Sequence, residues 1–547
     1  MEKRSFAAHG KGAIILTATV LFFIHACSSD PKTGQKHDIT DSPVRTPLVV
    51  SYHDLSRDAG YKILRSGGNA FDAYVAVTAV ENVVSAGYVT FAGLMSTLIY
   101  HAGTDEIHYL DAGFNSVLDP EGIYDQKNPS VGKTVAVPGV IAGLESISKR
   151  WGRLSFKEVL QPAIEIAREG FALDELNAYY IKVSSQKLQQ TEYGSLTFFP
   201  EDCALKTGDI LKQPKLTDFL SKLSEQGADH MYRGEWASQC VEAVQKEGGL
   251  MTLKDLESYQ PTWTIPWRMS YRGFNIYSSS GRSMYALWAL LALKTLEHTR
   301  IRSFGHYSES ADALEIMVRI ARAVEEETWI HDHTILDDRN RVQSRLTSQY
   351  TEVIWEKAKK SPNAMQIEPP PSRSTLCSVI ADAEGNIVTG KHSINSELWG
   401  NGMFVQGVLL NGSGDMQGRY TGLGQRRTQG APNFLVFKDD SLKYACGTFS
   451  SSNPHAAFQF LVNLLDYGLP ADRAVELPRF GSFPYNETDW SVDVSKNWLD
   501  DRVSREIVEI LKKRGLFFSQ KRTRLGKGCI AEFHPDGSSS SSYDKTN

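Results

Sequence analysis

The chain has 547 residues, of which 41% are apolar and 22% charged, and it contains ten Trp. This length suits two to four average domains or one large α/β unit, and the composition is typical of a globular protein. The formal charge is -5, from 59 basic and 64 acidic residues, so no polycationic surface for nucleic acid is expected. No cluster of Cys and His has the spacing of a zinc site, and we expect neither a metal nor another cofactor.

The N-terminus has the features of an export signal. Basic residues up to Lys11 precede the apolar run "AIILTATVLFFIHAC", which is too short to span a bilayer comfortably. Segment 1–27 resembles a bacterial lipoprotein signal with Cys27 as the lipid-bearing residue; a plain secretory signal and an uncleaved anchor are the alternatives. The polar residues 28–48 are predicted to form a tether. We therefore expect a cell-envelope protein, lipid-anchored or periplasmic, whose only membrane contact is this anchor.

The first two thirds of the remaining chain predict mainly helices. The stretch "DLSRDAGYKILRSGGNAFDAYVAVTAVENVV" predicts two helices separated by Gly67 and Gly68, with Asn69 as N-cap of the second. A hairpin is predicted for "STLIYHAGTDEIHYLDAG", helices for "LSFKEVLQPAIEIAREGF" and "MTLKDLESY", and a strand for "YRGFNIYSS". The carboxylates of "ARAVEEETWIHDHT" are predicted to lie on a solvated helix face.

The last third predicts hairpins and one long helix. "TLCSVIADAEGNIVTGKHSI" and "NFLVFKDDSLKYACG" have the pattern of hairpins, and "NPHAAFQFLVNLLDYG" that of a helix. The Ser-rich tail, 536–547, is predicted to be disordered. No repeat or further linker divides residues 49–535, so one unit of layered sheets with helices outside is expected.

Several segments, in the same order along the chain, resemble those of one enzyme family. "AGYKILRSGGNAFDAYVAV" is similar to the opening of the γ-glutamyltransferases (γ-glutamyltranspeptidases). "VAVPGVIAGLESISKRWGRLSFKEVLQPAIEIAREGF", "GGLMTLKDLESYQPTWTIPWRMSYRGFNIYS" and "VNLLDYGLPADRAVELPRF" resemble later segments of that family. The resemblance implies an α+β fold, the four-layer αββα sandwich of N-terminal-nucleophile (Ntn) hydrolases. It also implies self-cleavage before a Thr into a large and a small subunit that stay associated, here 49–374 and 375–535.

The predicted nucleophile lies in "PSRSTLCSVIADAEGNIVTGKHSIN". A Thr hydroxyl is a weak nucleophile, but at a chain N-terminus it gains an α-amino group with a pKa near ~7.7–8.0 as its base. In the family a turn Gly follows the Thr by ten residues, and Gly385 lies 385 − 375 = 10 residues after Thr375. This register places Ser393 on the family's second, orienting Thr and Asn395 on its substrate-binding Asn. An alignment with one more residue in the turn selects Ser374 instead.

The resemblance also locates the binding groups for a glutamyl substrate, and several of them are changed. Asp415 matches the first of two Asp residues, but Met416 replaces the second, which holds the substrate's α-amino group. The Ser-Ser pair that contacts the α-carboxylate corresponds to Thr428 and Gln429. The family's carboxylate-binding Arg has no counterpart in "LDAGFNSVLDP".

Two further positions near the nucleophile differ from the family pattern. Its Gly-Gly oxyanion pair corresponds to Ser450 and Ser451, whose main-chain N–H groups could serve the same role. Cys377 stands where the family usually has His.

Three functions remain open at this stage. The first is a γ-glutamyltransferase-like enzyme that transfers or hydrolyses a small γ-glutamyl or related amide such as glutathione. The second is an amidase or acylase with a different acyl specificity. The third is an inactive envelope lipoprotein that binds a ligand or partner.

Overall fold

The computed structural model describes residues 35–36, 45–85, 87–124, 129–329, 333–360, 375–414, 422–427, 430–449, 453–482, 497–521 and 526–544. Residues Gly34–Asn547 form one compact unit. The predicted signal, with Cys27, and most of the predicted tether lie outside the described residues. Within the described ranges, no helix has the length and apolar content needed to cross a membrane.

The strands are numbered in chain order: β1 (Gln35–Lys36), β2 (Leu48–Val50), β3 (Leu94–His101), β4 (Glu106–Ala112), β5 (Phe171–Ala172), β6 (Ile210–Leu211), β7 (Thr262–Thr264), β8 (Trp267–Tyr271), β9 (Phe274–Ser278), β10 (Leu376–Ala381), β11 (Ile387–Ser393), β12 (Phe404–Val405), β13 (Val408–Leu409), β14 (Asn433–Lys438), β15 (Ser441–Phe449), β16 (Phe480–Ser482), β17 (Asn497–Asp500), β18 (Phe518–Lys521), β19 (Lys527–Phe533) and β20 (Ser539–Tyr543).

The α-helices are numbered in the same way: α1 (Asp54–Arg65), α2 (Ala70–Val84), α3 (Val140–Trp151), α4 (Phe156–Glu169), α5 (Glu175–Val183), α6 (Ser185–Leu188), α7 (Glu192–Phe198), α8 (Pro214–Gln226), α9 (Asp229–Tyr232), α10 (Glu235–Lys246), α11 (Leu253–Glu257), α12 (Met284–Leu296), α13 (Ala311–Trp329), α14 (Arg339–Arg345), α15 (Ser348–Ala358), α16 (Asn453–Leu465), α17 (Ala471–Glu476) and α18 (Arg505–Lys513).

Two large antiparallel sheets form the centre of the described structure. The first sheet has the order β1-β4-β3-β11-β10-β2, with β7 also paired to β4. The second sheet has the order β20-β19-β15-β14-β9-β8. The predicted hairpins β3–β4, β10–β11 and β14–β15 are all present. The hairpin β10–β11 lies inside the first sheet, between β3 and β2.

Three apolar layers separate four structural layers. Helices α1 to α4 cover the outer face of the first sheet, where Val77 and Leu144 belong to the same apolar cluster as Ile380. The inner faces of the two sheets meet through side chains such as Val379 and Leu435. Helices α12, α13 and α16 cover the outer face of the second sheet. The predicted αββα sandwich is therefore confirmed.

Helix α2 shows how the sequence specifies this packing. Asn69 caps it by accepting from the N–H groups of Phe71 and Asp72, and the Asp72 carboxylate accepts the N–H of Asn69 in return. Gly67 precedes it with φ at +93°, a conformation that glycine adopts without strain. All 15 residues of α2 are buried, whereas its mostly apolar sequence predicted burial on most sides.

The prediction of a disordered tail is wrong for most of its length. Ser539–Tyr543 pair with β19 and complete the second sheet. The Asp544 carboxylate lies 2.5 Å from the Arg479 guanidinium, and both side chains are buried. The serine-rich composition led to a prediction of disorder. Composition does not show that the free edge of β19 has N–H and C=O groups with which these residues can pair.

The prediction of a solvated face on α13 is also wrong. Glu325 is buried, its carboxylate lies 2.8 Å from His455 Nε2, and the Arg322 guanidinium lies 3.7 Å away. A buried carboxylate of this kind needs ionic and hydrogen-bonding partners, and α16 supplies His455 from a distant part of the sequence. The cysteines in the described ranges, Cys203, Cys240, Cys377, Cys446 and Cys529, are all free.

Candidate active site

The candidate site is centred on the open end of hairpin β10–β11. Thr375 directly precedes β10, and Ser393 is the last residue of β11. The pairing of Leu376 with His392 continues by one residue to bring Thr375 opposite Ser393. The Thr375 Oγ1 hydroxyl donates to Ser393 Oγ at 3.1 Å, and both side chains are buried. The structure thus brings together the predicted nucleophile and the residue predicted to orient it.

Asn395, the third predicted site residue that the structure describes, is tied to the same hydroxyl. Its N–H donates to Ser393 Oγ at 2.7 Å, and its φ of +50° lies in the left-handed region, which Asn tolerates better than most residues. The Ser413 hydroxyl approaches the carbonyls of Ile394 and Asn395 at 3.1 and 3.0 Å. The turn after β11 is therefore stabilised by hydrogen bonds of side chains, those of Ser393 and Ser413, rather than by regular strand pairing.

Two neighbouring residues fix this turn against the rest of the sheet. The buried Asn411 amide donates to the carbonyls of Ala92 and Ala136 at 3.0 and 2.9 Å. Gly93 approaches so closely that a Cβ atom there would lie 2.5 Å from the Ser393 carbonyl oxygen. Only glycine fits at this contact, so Gly93 helps to set the position of Ser393.

Replacing Ser393 by Ala is expected to slow self-cleavage and turnover by about 10- to 100-fold, the cost of one or two lost positioning hydrogen bonds of 1–3 kcal/mol in total. Ser393→Thr keeps the hydroxyl and is the matched control, expected to retain most of the rate. Cleavage is followed by denaturing electrophoresis. Equal cleavage rates for wild type and Ser393→Ala would show that Ser393 takes no part in self-cleavage.

The next pair on the same face of the hairpin, two residues along each strand, consists of residues that the sequence did not single out together. Cys377 and Lys391 are cross-strand partners, and both are buried. Lys391 Nζ donates to the Gly430 carbonyl at 2.7 Å. Burial lowers the pKa of Lys391 to about 7, against the opposing influence of Asp111 and Cys377. Burial, reinforced by Cys529, holds the pKa of the Cys377 thiol well above its usual value.

A second buried pair lies on the opposite face of the hairpin, beneath β11. Glu81 of α2 and His392 are 3.6 Å apart and almost fully buried. Burial raises the pKa of Glu81 to about 8, although the Ser51 hydroxyl donates to its carboxylate at 2.6 Å. Burial lowers the pKa of His392 to about 3. Both groups are thus mainly uncharged at neutral pH, and the pair adds no net charge beneath the nucleophile.

An arginine from a different segment contacts the stretch "LDAGFNSVLDP", which lacks one of its own. Arg426 Nε lies 3.5 Å from the Asp111 carboxylate, and Nη1 donates to the Gly113 carbonyl and to the Tyr259 hydroxyl. Its Nη2 donates to the Gln260 carbonyl at 2.6 Å. The guanidinium is engaged by protein groups on every side, which fits a structural role better than a role in binding an incoming carboxylate. Sequence reasoning missed this contact because more than 300 residues separate the partners.

The remaining predicted site residues lie outside the described residues, so their roles stay predictions. These are Ser374, Asp415, Thr428, Gln429, Ser450 and Ser451.

Comparison with known proteins identifies the family of this chain. The γ-glutamyltranspeptidase family model matches residues 56–546. The glutathione hydrolase proenzyme of Escherichia coli (strain K12) is 28% identical over 521 residues, which cover 88% of this chain and 89% of the relative. That of Bacillus subtilis (strain 168) is 25% identical over 557 residues, which cover 94% and 92%.

Solved structures show the same fold. A cephalosporin acylase from Bacillus halodurans superposes with a TM-score of 0.77 at 20% identity, covering 96% of this chain and 100% of that one. The γ-glutamyltranspeptidase of Helicobacter pylori gives a TM-score of 0.53 at 25% identity, covering 61% of this chain and 97% of that one. The family match extends from α1 to the end of the described structure and includes the second sheet, the first sheet except for β1 and β2, and the Thr375 hairpin. The chain belongs to the γ-glutamyltranspeptidase family and has the fold of an Ntn hydrolase.

Proposed function

We propose that the protein is a γ-glutamyltransferase-like Ntn enzyme that cuts its own chain before Thr375. The new N-terminal Thr then takes the acyl group from a small γ-glutamyl or related amide, such as glutathione, and passes it to water or to an amino acid. The observation that carries this proposal is the hydrogen bond from Thr375 Oγ1 to Ser393 Oγ at the entry to β10.

The chemistry follows from the position of Thr375 at the start of a central strand. After cleavage, its α-amino group serves as the base for its own hydroxyl. The hydroxyl oxygen attacks the amide carbonyl carbon, the amine of the substrate leaves with a proton, and an ester to Thr375 remains. Water or an acceptor amine then attacks the ester carbonyl and releases the hydroxyl. Ser393 keeps the Thr375 hydroxyl aligned through both steps.

The binding roles of the other predicted residues belong to the same proposal. Asn395 and Asp415 would hold polar groups of the acyl chain, and Thr428 and Gln429 a carboxylate. The main-chain N–H groups of Ser450 and Ser451 would stabilise the oxyanion, a contribution of about 3–4 kcal/mol for each donor.

An amidase of different acyl specificity is the second candidate, and one structural observation favours it. Gly113 directly follows the end of β4 at Ala112, where Arg426 donates to main-chain carbonyls and pairs with the Asp111 carboxylate. With Met416 in place of a second Asp, a glutamyl zwitterion would keep Asp415 for its ammonium and the uncharged Thr428 and Gln429 for its carboxylate, and an incompletely paired buried charge costs several kcal/mol. Amides whose acyl group lacks the α-ammonium are therefore included in the substrate test.

The full chain is expressed in a bacterial host, and its fragments are separated by denaturing electrophoresis and sequenced from their N-termini. We expect two fragments, the smaller beginning at Thr375, that copurify. The cleaved protein is then assayed with a γ-glutamyl anilide and with the matching glutaryl anilide, which lacks the ammonium. Turnover of the first supports the transferase, and turnover of the second alone supports the amidase. A chain that stays intact through long incubation contradicts both enzymatic functions and supports the third, an inactive lipoprotein that binds a ligand or partner.

Residence in the cell envelope is part of the proposal, with lipid on Cys27. Its support is the sequence of the signal-like segment. Cys27→Ser is expected to move the protein from the membrane fraction to the soluble envelope fraction, whereas an unchanged distribution would exclude a lipid anchor.

A further inference from the structure

Self-cleavage before Thr375 poses a chemical problem that catalysis after cleavage does not. In the uncut chain the nitrogen of Thr375 is part of a peptide bond, so it has no free amine to accept the hydroxyl proton. An unassisted Thr hydroxyl is a weak nucleophile at neutral pH. Another group near the hairpin must therefore accept that proton, directly or through a neighbour.

The hydrogen bonds of the hairpin show the direction in which the proton can leave. Thr375 Oγ1 donates to Ser393 Oγ, so the first acceptor is Ser393. Lys391 precedes Ser393 by two residues on β11, and residues two apart on a strand point to the same face, about 7 Å apart. Lys391 therefore lies on the inner face of the first sheet, next to the Thr375–Ser393 pair.

The Lys391 side chain is held there by defined contacts. It is 1% exposed, and its Nζ donates to the Gly430 carbonyl at 2.7 Å. A neutral amine can make this hydrogen bond with one N–H and still keep a lone pair for a proton. The contact also joins the nucleophile hairpin to the segment that follows Thr428 and Gln429.

The charged and titratable groups around Lys391 do not compete for this role. On β4, Asp111 is paired with Arg426 of the 422–427 segment. On β10, Cys377 is a thiol with a raised pKa, next to Cys446 and Cys529 of the second sheet. On the far side of β11, Glu81 and His392 face each other rather than the inner face. Lys391, whose pKa burial lowers to about 7, is the base of this group best matched to neutral pH.

We propose that Lys391 is a positioning residue for self-cleavage and that it receives, through Ser393, the proton that Thr375 loses. This inference rests on the proposed self-cleavage, and it adds a residue that acts before the enzyme exists in its cut form.

The step balances without any further reactant except water. Thr375 Oγ1 attacks the carbonyl carbon of Ser374 while its proton passes to Ser393, whose own proton passes to Lys391. The carbon–nitrogen bond to Thr375 then breaks, and the leaving nitrogen takes the proton back from the Lys391 ammonium by the same route. Water hydrolyses the resulting ester, which leaves a carboxylate on Ser374 and a free amine and hydroxyl on Thr375.

The test follows cleavage of full-length chain made by cell-free synthesis, so that the intact precursor is present at time zero. For wild type we expect the rate to rise about tenfold per pH unit up to about pH 7 and then to level off, because only neutral Lys391 accepts the proton. Lys391→Met is expected to cleave at least 100-fold more slowly. Lys391→Arg keeps a donor for Gly430 but stays charged, so it is expected to be similarly slow.

A second variant separates a proton acceptor from a purely structural lysine. Lys391→Ala should regain cleavage when methylamine is added, with a pH dependence set by the added amine. Lys294→Met is the matched control, because Lys294 is also a largely buried lysine whose Nζ donates to a main-chain carbonyl, that of Ser270, at 3.0 Å. Its cleavage rate and pH profile should equal those of wild type.

The outcomes distinguish this inference from the proposed function. If wild type cleaves and Lys391→Met matches its rate, or Lys391→Arg matches its rate and pH profile, the acceptor role is overturned while self-cleavage stands. If Lys391→Ala is slow and methylamine gives no rescue, the lysine is structural and the inference is again overturned. If wild type itself never cleaves, the proposed function fails first and the inference fails with it.

Discussion

Thr375→Ala is expected to leave the protein as one uncut chain with no amide turnover, a loss of at least about 10⁴-fold. The substitution removes the only atom that forms a covalent bond to the acyl group in the proposed reaction. It also removes one small buried hydroxyl whose hydrogen bond goes to Ser393, so the fold should survive. Electrophoresis measures the cut, and the anilide assay measures turnover.

Ser374→Ala is the matched control, because it tests the alternative alignment one residue earlier. We expect it to cut at nearly the wild-type rate, with the small fragment still beginning at residue 375. Thr375→Ser keeps a hydroxyl and should retain slow cleavage. If Ser374→Ala stops cleavage and Thr375→Ala does not, the nucleophile has been placed one residue too late.

Asp544→Ala is expected to destabilise the protein by about 3–5 kcal/mol, although it changes only the fourth residue from the C-terminal end of the sequence. The substitution leaves the Arg479 guanidinium buried without its carboxylate partner, and breaking a buried ion pair from one side is costly. Arg479 otherwise donates to the carbonyls of Gly526 and Val475, and the Asp500 carboxylate, which also interacts with it, is already paired with Arg502. The midpoint and slope of denaturant unfolding measure the change.

Asp536→Ala is the control for this prediction, since it removes the same charge from the same tail but at an exposed turn, where the Asp536 carboxylate accepts the N–H and the hydroxyl of Ser538. Its unfolding midpoint should match that of wild type. Equal midpoints for Asp544→Ala and wild type would show that the tail adds no stability, as its composition first suggested.

The sequence predicted the fold well because the fold depends on local patterns. The Asn69 cap, the apolar face of α4 and the three hairpins are each specified by residues a few positions apart, and all are present. The ten-residue spacing between Thr375 and Gly385 placed Ser393 opposite Thr375, since strand register determines which residues face each other.

The sequence predicted poorly wherever a residue depends on a distant partner. Arg426 contacts Gly113, and Glu325 contacts His455, although the partners are far apart in the sequence and only the fold brings them together. Lysine is usually found at the surface, so the residue type alone does not indicate that Lys391 is buried. Its position on β11, two residues before Ser393 and on the inner face of the first sheet, does. Strand β20 likewise depends on pairing with the edge of β19, which the local sequence of the tail does not predict.

The two sheets also determine how the protein would behave after the proposed cleavage. Each sheet combines strands from both sides of residue 375: β3 and β4 with β10 and β11 in the first, and β8 and β9 with β14 and β15 in the second. The fragments are therefore not two domains, because neither contains a complete sheet. Unfolding of the uncut chain is a unimolecular event, whereas unfolding of the cut protein releases two polypeptides. Mass action then makes its stability rise with protein concentration, and dilution alone favours irreversible loss of the enzyme.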